Sequence, residues 1–171
     1  MQNIVRIILL ALSLSLVACG GGGGSSPPPA PETFPTKAVI KISTQGTPSS
    51  SALSGVVVTL NLPPGVTITT NSDGSVASGA VIASGVVAQN NTTVLSTYTP
   101  ASGSTAATLK IFVASTLASG FGVGEFVTVN ANIASGYTPQ QSDFTLTNFE
   151  PADLSINSVT GLTASLSATF E

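Results

Sequence analysis

From Lys37 onward the chain alternates apolar and polar residues in short bursts, each closed by Gly, Pro, Asn, Asp or Ser. Period-two alternation between such clusters predicts strands with one buried face. Residues 38–42 open the series. In residues 55–62, Val56, Val58, Leu60 and Leu62 share one face, and the run stops at Pro63-Pro64-Gly65. Pro presets φ there and Gly permits a positive φ, which together predict a turn. Residues 66–69 resume the pattern and Asn71-Ser72-Asp73-Gly74 predicts another turn. Short apolar segments at 80–83 and 85–88 precede a strand over 93–98. Residues 105–113 align Leu109, Ile111 and Val113, and residues 125–133 align Val127, Val129, Ala131 and Ile133. Between them, residues 120–124 predict a turn with close backbone packing. Residues 138–143 predict a turn or one short helical turn, with strands at 144–149 and 154–156. Residues 162–170 alternate strictly. The pattern predicts nine or ten short strands and no amphipathic helix of useful length, hence an all-β sandwich or barrel. Phe112, Phe126, Phe144, Phe149 and Phe170 are expected in the core, and Tyr137, in a turn, is the better candidate for an exposed contact.

The first 36 residues follow another pattern. The apolar run 7–18 would rise about 18 Å as a helix, short of a hydrocarbon core of about 30 Å. With Arg6 before it, it predicts the central region of a signal peptide. The run ends Leu16-Val17-Ala18-Cys19, which resembles the lipobox of bacterial lipoproteins. That resemblance implies loss of residues 1–18 and a diacylglycerol thioether, with further acyl chains such as palmitate, on Cys19. Gly20, where an inner-membrane retention signal would place Asp, implies the outer membrane or cell surface. Residues 19–36 then form a linker, flexible in its Gly/Ser half and extended in its Pro-rich half. Residues 37–171 form a single domain.

Composition narrows the functional classes. Charged residues are only 6% of the chain, against about 25% in typical soluble domains. Beyond the leader, Lys37, Lys41 and Lys110 oppose seven acidic residues. Scattered lysines cannot release phosphate counterions as a basic patch does, which excludes nucleic acid as a partner. There is no histidine, so His-based triads and zinc sites are excluded. The sole cysteine is the one expected to carry lipid.

The remaining motifs read as structure. Gly120-Phe121-Gly122-Val123-Gly124 lacks the βαβ context of a cofactor loop. In the Asn71–Gly74 segment, Ala80 stands where a calcium loop needs an acid. Glu150 and Asp153 flank a proline and are expected to cap a turn. Catalytic, cofactor and metal residues are therefore expected to be none, and Cys19 is the one residue with an assigned chemical fate.

Three segments carry a second resemblance: Val56 to Val66 (VVVTLNLPPGV), Gly122 to Asn130 (GVGEFVTVN) and Ser142 to Phe149 (SDFTLTNF). Their order and spacing resemble the cohesin-like domains of bacterial extracellular proteins. The resemblance implies a cohesin-like jelly-roll β-sandwich of about nine strands and a binding role through a sheet face, with no binding residues carried over. The expected function is a membrane-anchored, non-catalytic binding or scaffolding module for a protein or carbohydrate partner. The alternative is a structural envelope or adhesin-type protein that self-associates through sheet edges. A carboxylate hydrolase using Glu125 or Asp143 is the third class.

Overall fold

The computed structural model describes residues 33–50, 52–88 and 91–171. The expected signal peptide, Cys19 and most of the linker fall in residues 1–32, outside the described residues. Nine strands form two antiparallel sheets packed as a sandwich. They are β1 (Lys37–Gly46), β2 (Leu53–Leu62), β3 (Val66–Ile68), β4 (Val81–Ala83), β5 (Thr92–Thr99), β6 (Ala107–Ser115), β7 (Glu125–Ile133), β8 (Thr145–Asp153) and β9 (Leu162–Phe170). The five-stranded sheet runs β9-β1-β7, with β3 and β4 sharing the far edge of β7. The four-stranded sheet runs β5-β6-β2-β8. Most connections cross from one sheet to the other. β1 finds its partners late in the chain, with Ala38 opposite Ala131 and Phe170.

The predicted alternation fixes the inner faces. Ile40 lies between Val129 and Ala168 in one sheet, and Leu60 between Leu109 and Leu146 in the other. Ile40, Val129, Leu60 and Leu109 are fully buried. Removing such side chains from water is the main force holding the sheets together. β9 spans the predicted 162–170, and its alternate residues Leu162, Ala164, Leu166, Ala168 and Phe170 pack against the core from the sheet edge. Among the described residues, no buried side-chain polar atom lacks a hydrogen bond. Thr44, for instance, accepts from the Gly124 N–H at 3.0 Å.

Four expectations are corrected. Residues 85–88 are not a strand: Gly85 takes φ +55 and Gly85–Val87 curls into one 3-10 turn. Residues 154–156 are not a strand either. The Asp153 Oδ1 accepts from the Ser155 N–H at 2.8 Å and the Asn157 N–H at 2.9 Å, which winds the chain into a loop. Asp153 caps a turn as expected, but that turn follows β8, and Pro151 is not part of it: Glu150 and Pro151 continue β8 opposite Val57 and Val56. β8 is an edge strand, and the Pro151 carbonyl points away from β2 to accept from the Val159 N–H. The missing proline N–H therefore faces the same outer side, where no ladder bond is lost. Finally, Phe112 is not in the core. It stands between inward-facing Ile111 and Val113 and so points outward, 39% exposed.

Three register slips adjust the alternation, one between β1 and β7 and two between β2 and β8. Ile42 faces Val127 and Ser43 faces Glu125, so Phe126 is an extra residue on β7. The bulge lets Phe126 and Val127 both be fully buried. On β8, the register slips between Val57–Glu150 and Thr59–Thr147, and Asn148 takes φ +50.

Candidate functional site

The outer face of the four-stranded sheet and the loops at its end cluster five exposed large apolar side chains: Leu95, Phe112, Leu117, Leu154 and Ile156. One cross-strand row runs Leu95 (β5), Phe112 (β6), Val57 (β2) and Glu150 (β8). Leu95 is 60% exposed. Beside Phe112 and Val57 a groove of about 460 Å³ opens toward the sheet end, walled by Leu117, Leu154 and Ile156. Gly55 forms part of its lining. A Cβ there would come within 3.2 Å of the Val113 carbonyl and 3.9 Å of the Phe112 ring, so any larger residue would fill the groove.

Ile156 is the most unusual residue of this surface. It is 85% exposed and its φ is +63. That left-handed conformation is strained for a β-branched residue, and Gly or Asn would adopt it readily. The loop imposes it: Asp153 binds Ser155 and Asn157 on either side, and the Asp153 N–H donates to the Asn157 carbonyl at 2.9 Å. These donors, the Asn157 N–H foremost, hold the Asp153 carboxyl below its ordinary value. The Ser54 hydroxyl donates to the Asp153 carbonyl, tying the loop to β2. A fixed loop thus presents an aliphatic side chain to solvent.

The outer face of the five-stranded sheet differs in kind. Lys41 Nζ lies 3.2 Å from Glu125 Oε2, and the Thr128 hydroxyl lies 3.2 Å from Glu125 Oε1 and 3.0 Å from Ser84 Oγ. Ser84, with Lys41 and Thr128, holds the Glu125 carboxyl below its ordinary value. Farther along β7, Asn130 donates to the Gly79 carbonyl and Asn132 to the Thr69 hydroxyl, at 2.7 and 2.9 Å. β9 adds Thr163, Ser165, Ser167 and Thr169.

The other expected residues are scattered. Tyr137 is 45% exposed and its ring lies over Gly65, whose φ is +77. Any Cβ at Gly65 would collide with that ring. Tyr137 and Pro139 face Pro63 and Pro64 across a cleft of about 600 Å³, with Asp143 in its lining. Asp143 Oδ2 accepts from the Gln140 N–H at 2.8 Å. Glu125 starts β7 and Asp143 follows its far end, about 25 Å of strand away, well beyond the spacing of a glycosidase carboxylate pair. Asp73 accepts from the Ser75 hydroxyl and N–H, which lower its pKa within a plain turn. Phe121, in the Gly120–Gly124 turn, exchanges backbone hydrogen bonds with Leu53 and is buried. Among the described residues no group of three or more His, Cys, Asp or Glu could hold a metal ion. No helix among them is long and apolar enough to cross a membrane. Cys19 lies outside the described residues.

The groove residues were missed from sequence for two reasons. Leu154 and Ile156 looked like strand residues, although Asp153 followed by Ser155 and Asn157 is a loop signature. Phe112 reads with the core phenylalanines by residue type, although its parity is opposite to that of Leu109, Ile111 and Val113. No protein-family model, curated protein or solved structure matches this chain.

Proposed function

We propose that the domain is a non-catalytic binding module that holds a protein partner in the Phe112–Ile156 groove, and that a lipid on Cys19 tethers it to the outer surface of a bacterial envelope. The carrying observation is Ile156. Burial would reward an isoleucine and its backbone conformation would reward glycine, yet a strained isoleucine is held 85% exposed. Strain kept at an exposed position by a well-bonded loop points to use rather than to stability. Apolar side chains exposed together on one rigid sheet mark an interaction site. A protein partner fits better than a polysaccharide, because the groove is lined by aliphatic side chains and the single ring of Phe112, with no tryptophan or tyrosine to combine sugar stacking with a polar contact. The cohesin-like resemblance supports the same reading, since such domains bind through a sheet face.

The test is capture from envelope and secreted fractions by the immobilised wild-type protein, alongside I156N, F112S and the opposite-face control S167A. The expected result is a species retained by wild type and S167A and lost with both groove variants. If every captured species is indifferent to I156N and F112S, the groove is not the binding site.

A further inference from the structure

The sandwich has four sheet edges, and three of them carry at least one feature that hinders pairing with another chain. Along β7, the β3 and β4 edges are three residues long each. β8 carries Pro151, two register slips, Glu150 and Asp153. On β9, the Lys37–Glu171 bond pair sets the ladder so that even-numbered residues point their N–H groups away from β1. The Ala168 N–H on that outer side donates to Gln141 Oε1 at 3.1 Å. These are the devices by which sheets avoid pairing with other chains.

β5 has none of them, and it lacks even the single side-chain bond that occupies the outer side of the otherwise uncharged, regular β9. Its sequence, Thr-Thr-Val-Leu-Ser-Thr-Tyr-Thr, contains no charge, no proline and no glycine, and its register against β6 is unbroken from Thr92 to Thr99. The Asn91 carbonyl accepts from the Thr116 N–H at 2.9 Å. Counting along the antiparallel ladder, Thr93, Leu95, Thr97 and Thr99 bond to β6, while Thr92, Val94, Ser96 and Tyr98 turn their N–H and C=O groups to the open edge. Among the described residues, no protein group hydrogen-bonds these outward backbone groups.

We propose that β5 pairs antiparallel with β5 of a second copy of this chain, on a two-fold axis through Leu95. The open backbone groups of β5 are self-complementary in that register: Val94 faces the partner's Ser96, Thr92 faces the partner's Tyr98, and the reverse. All four outward residues of each copy then exchange ladder bonds. The two Leu95 side chains meet as a close, non-hydrogen-bonded pair on the outer face. The outer row becomes Glu150–Val57–Phe112–Leu95 continued by its mirror sequence in the partner, so a carboxylate stands at each end and apolar residues fill the centre. The absence of charge on β5 means that two copies do not repel at the seam. A peptide from another protein would gain the backbone bonds but not the Leu95–Leu95 contact, which favours a second copy. One strand pair is a small interface, and the dimer is correspondingly weak and concentration-dependent. The ladder bonds and the Leu95–Leu95 contact involve β5 alone; Phe112 and Val57 of the groove only continue the Leu95 row, and I156N, at the far wall of the groove, tests the binding function without touching the dimer seam.

Residues 33–171 hold the entire described core, from Ala38 to Val159, in one compact unit. They contain no cysteine, so an introduced thiol is unique. Under mild oxidation L95C is expected to form disulfide dimers at least about tenfold faster than S167C on the opposite outer face, because pairing raises the effective thiol concentration. A non-hydrogen-bonded pair brings Cα atoms to about 4.5 Å, within disulfide range. T93C and T97C are each expected to stay monomeric alone and to cross-link when mixed, since Thr93 faces the partner's Thr97. By sedimentation, wild-type apparent mass should rise with concentration, and L95K, which sets two ammonium groups face to face at an exposed position, should abolish the rise. The proposal is overturned if L95C cross-links no faster than S167C, or if wild type and L95K sediment alike as monomers at every concentration.

Discussion

The two outer faces of the sandwich are built from the same kind of strand and end in opposite chemistry. On the five-stranded sheet, the outward positions of β1, β7 and β9 are Ser, Thr, Asn, Gln, Lys and Glu apart from Val39, with Ile82 of β4 as a second apolar exception, and hydrogen bonds such as Asn132 to Thr69 and Lys41 to Glu125 join the polar ones. On the four-stranded sheet, Leu95, Phe112 and Val57 line up across three strands, and Leu154 and Ile156 extend the apolar surface into a loop. Inner-face burial does not require this difference, since both inner faces are equally apolar. Folding demands only one apolar face per sheet. The extra apolar residues on the outer face of the smaller sheet stand apart from the needs of the core, and that asymmetry supports placing the partner there.

The largest effects should separate the two sides of a single strand. Ile111 is fully buried and its neighbour Phe112 faces out. I111A should destabilise the domain by about 2–5 kcal/mol, the range for truncating a packed core residue. F112A removes only cross-strand contacts with Leu95 and Val57 and should cost about 1 kcal/mol. Urea unfolding of the two variants checks this. Equal losses would mean that Phe112 belongs to the core after all and would dissolve the contrast between the two sides of β6.

The same pair shows how much was legible beforehand. Parity is a property of the sequence, so the inward rows Val56 to Leu62, Leu109 to Val113 and Leu162 to Phe170 could be read from it, and with them the all-β sandwich. What could not be read was set by long-range pairing or by side-chain capture of the backbone. Only the register against β1 makes Phe126 the extra residue of a bulge and lets it bury beside Val127. Only the Asp153 loop turns residues 154–156 from an apparent strand into an exposed aliphatic wall. Edge identity is also invisible locally: both β5 and β6 read as alternating strands, but β6 is flanked on both sides and β5 on one. The groove rests on the second of these features together with the outward parity of Phe112, which is why motif reading points to Cys19 and not to the groove.

A smaller effect of opposite sign is expected at Ile156. I156G relieves a left-handed β-branched residue and removes an exposed side chain that contributes little packing. The variant should be more stable than wild type by about 1 kcal/mol while losing the groove-dependent captured species. Stability gained together with binding lost is the signature of a residue retained for function. A loss of stability would show that Ile156 supports the loop, and the exposed wall would then be a by-product of folding.

The smallest effect belongs to the polar face and appears only as a dependence on pH. Glu125 is partly exposed, with 24% of its side-chain surface accessible, and Lys41 is 53% exposed. Ion pairs of that kind contribute little. The Glu125 pKa is nonetheless lowered from 4.5 by Ser84 first, then by Lys41 and Thr128, with desolvation opposing. A carboxyl whose folded pKa lies below its unfolded value binds fewer protons when folded. Its contribution is therefore complete above the unfolded pKa and is lost as pH falls through the folded one. E125Q should leave stability at pH 7 slightly reduced and should flatten the decline of stability below about pH 4.5. Asp73 and Asp153 keep their own acid-dependent contributions in the variant, because both are also lowered, so the slope should shrink rather than vanish. Urea titrations of E125Q and wild type across that range measure the difference. A slope unchanged by E125Q would mean that the Lys41–Glu125–Thr128 network is loose in solution. The polar face would then be polar in composition only, without the fixed bonding that now distinguishes it from the groove side.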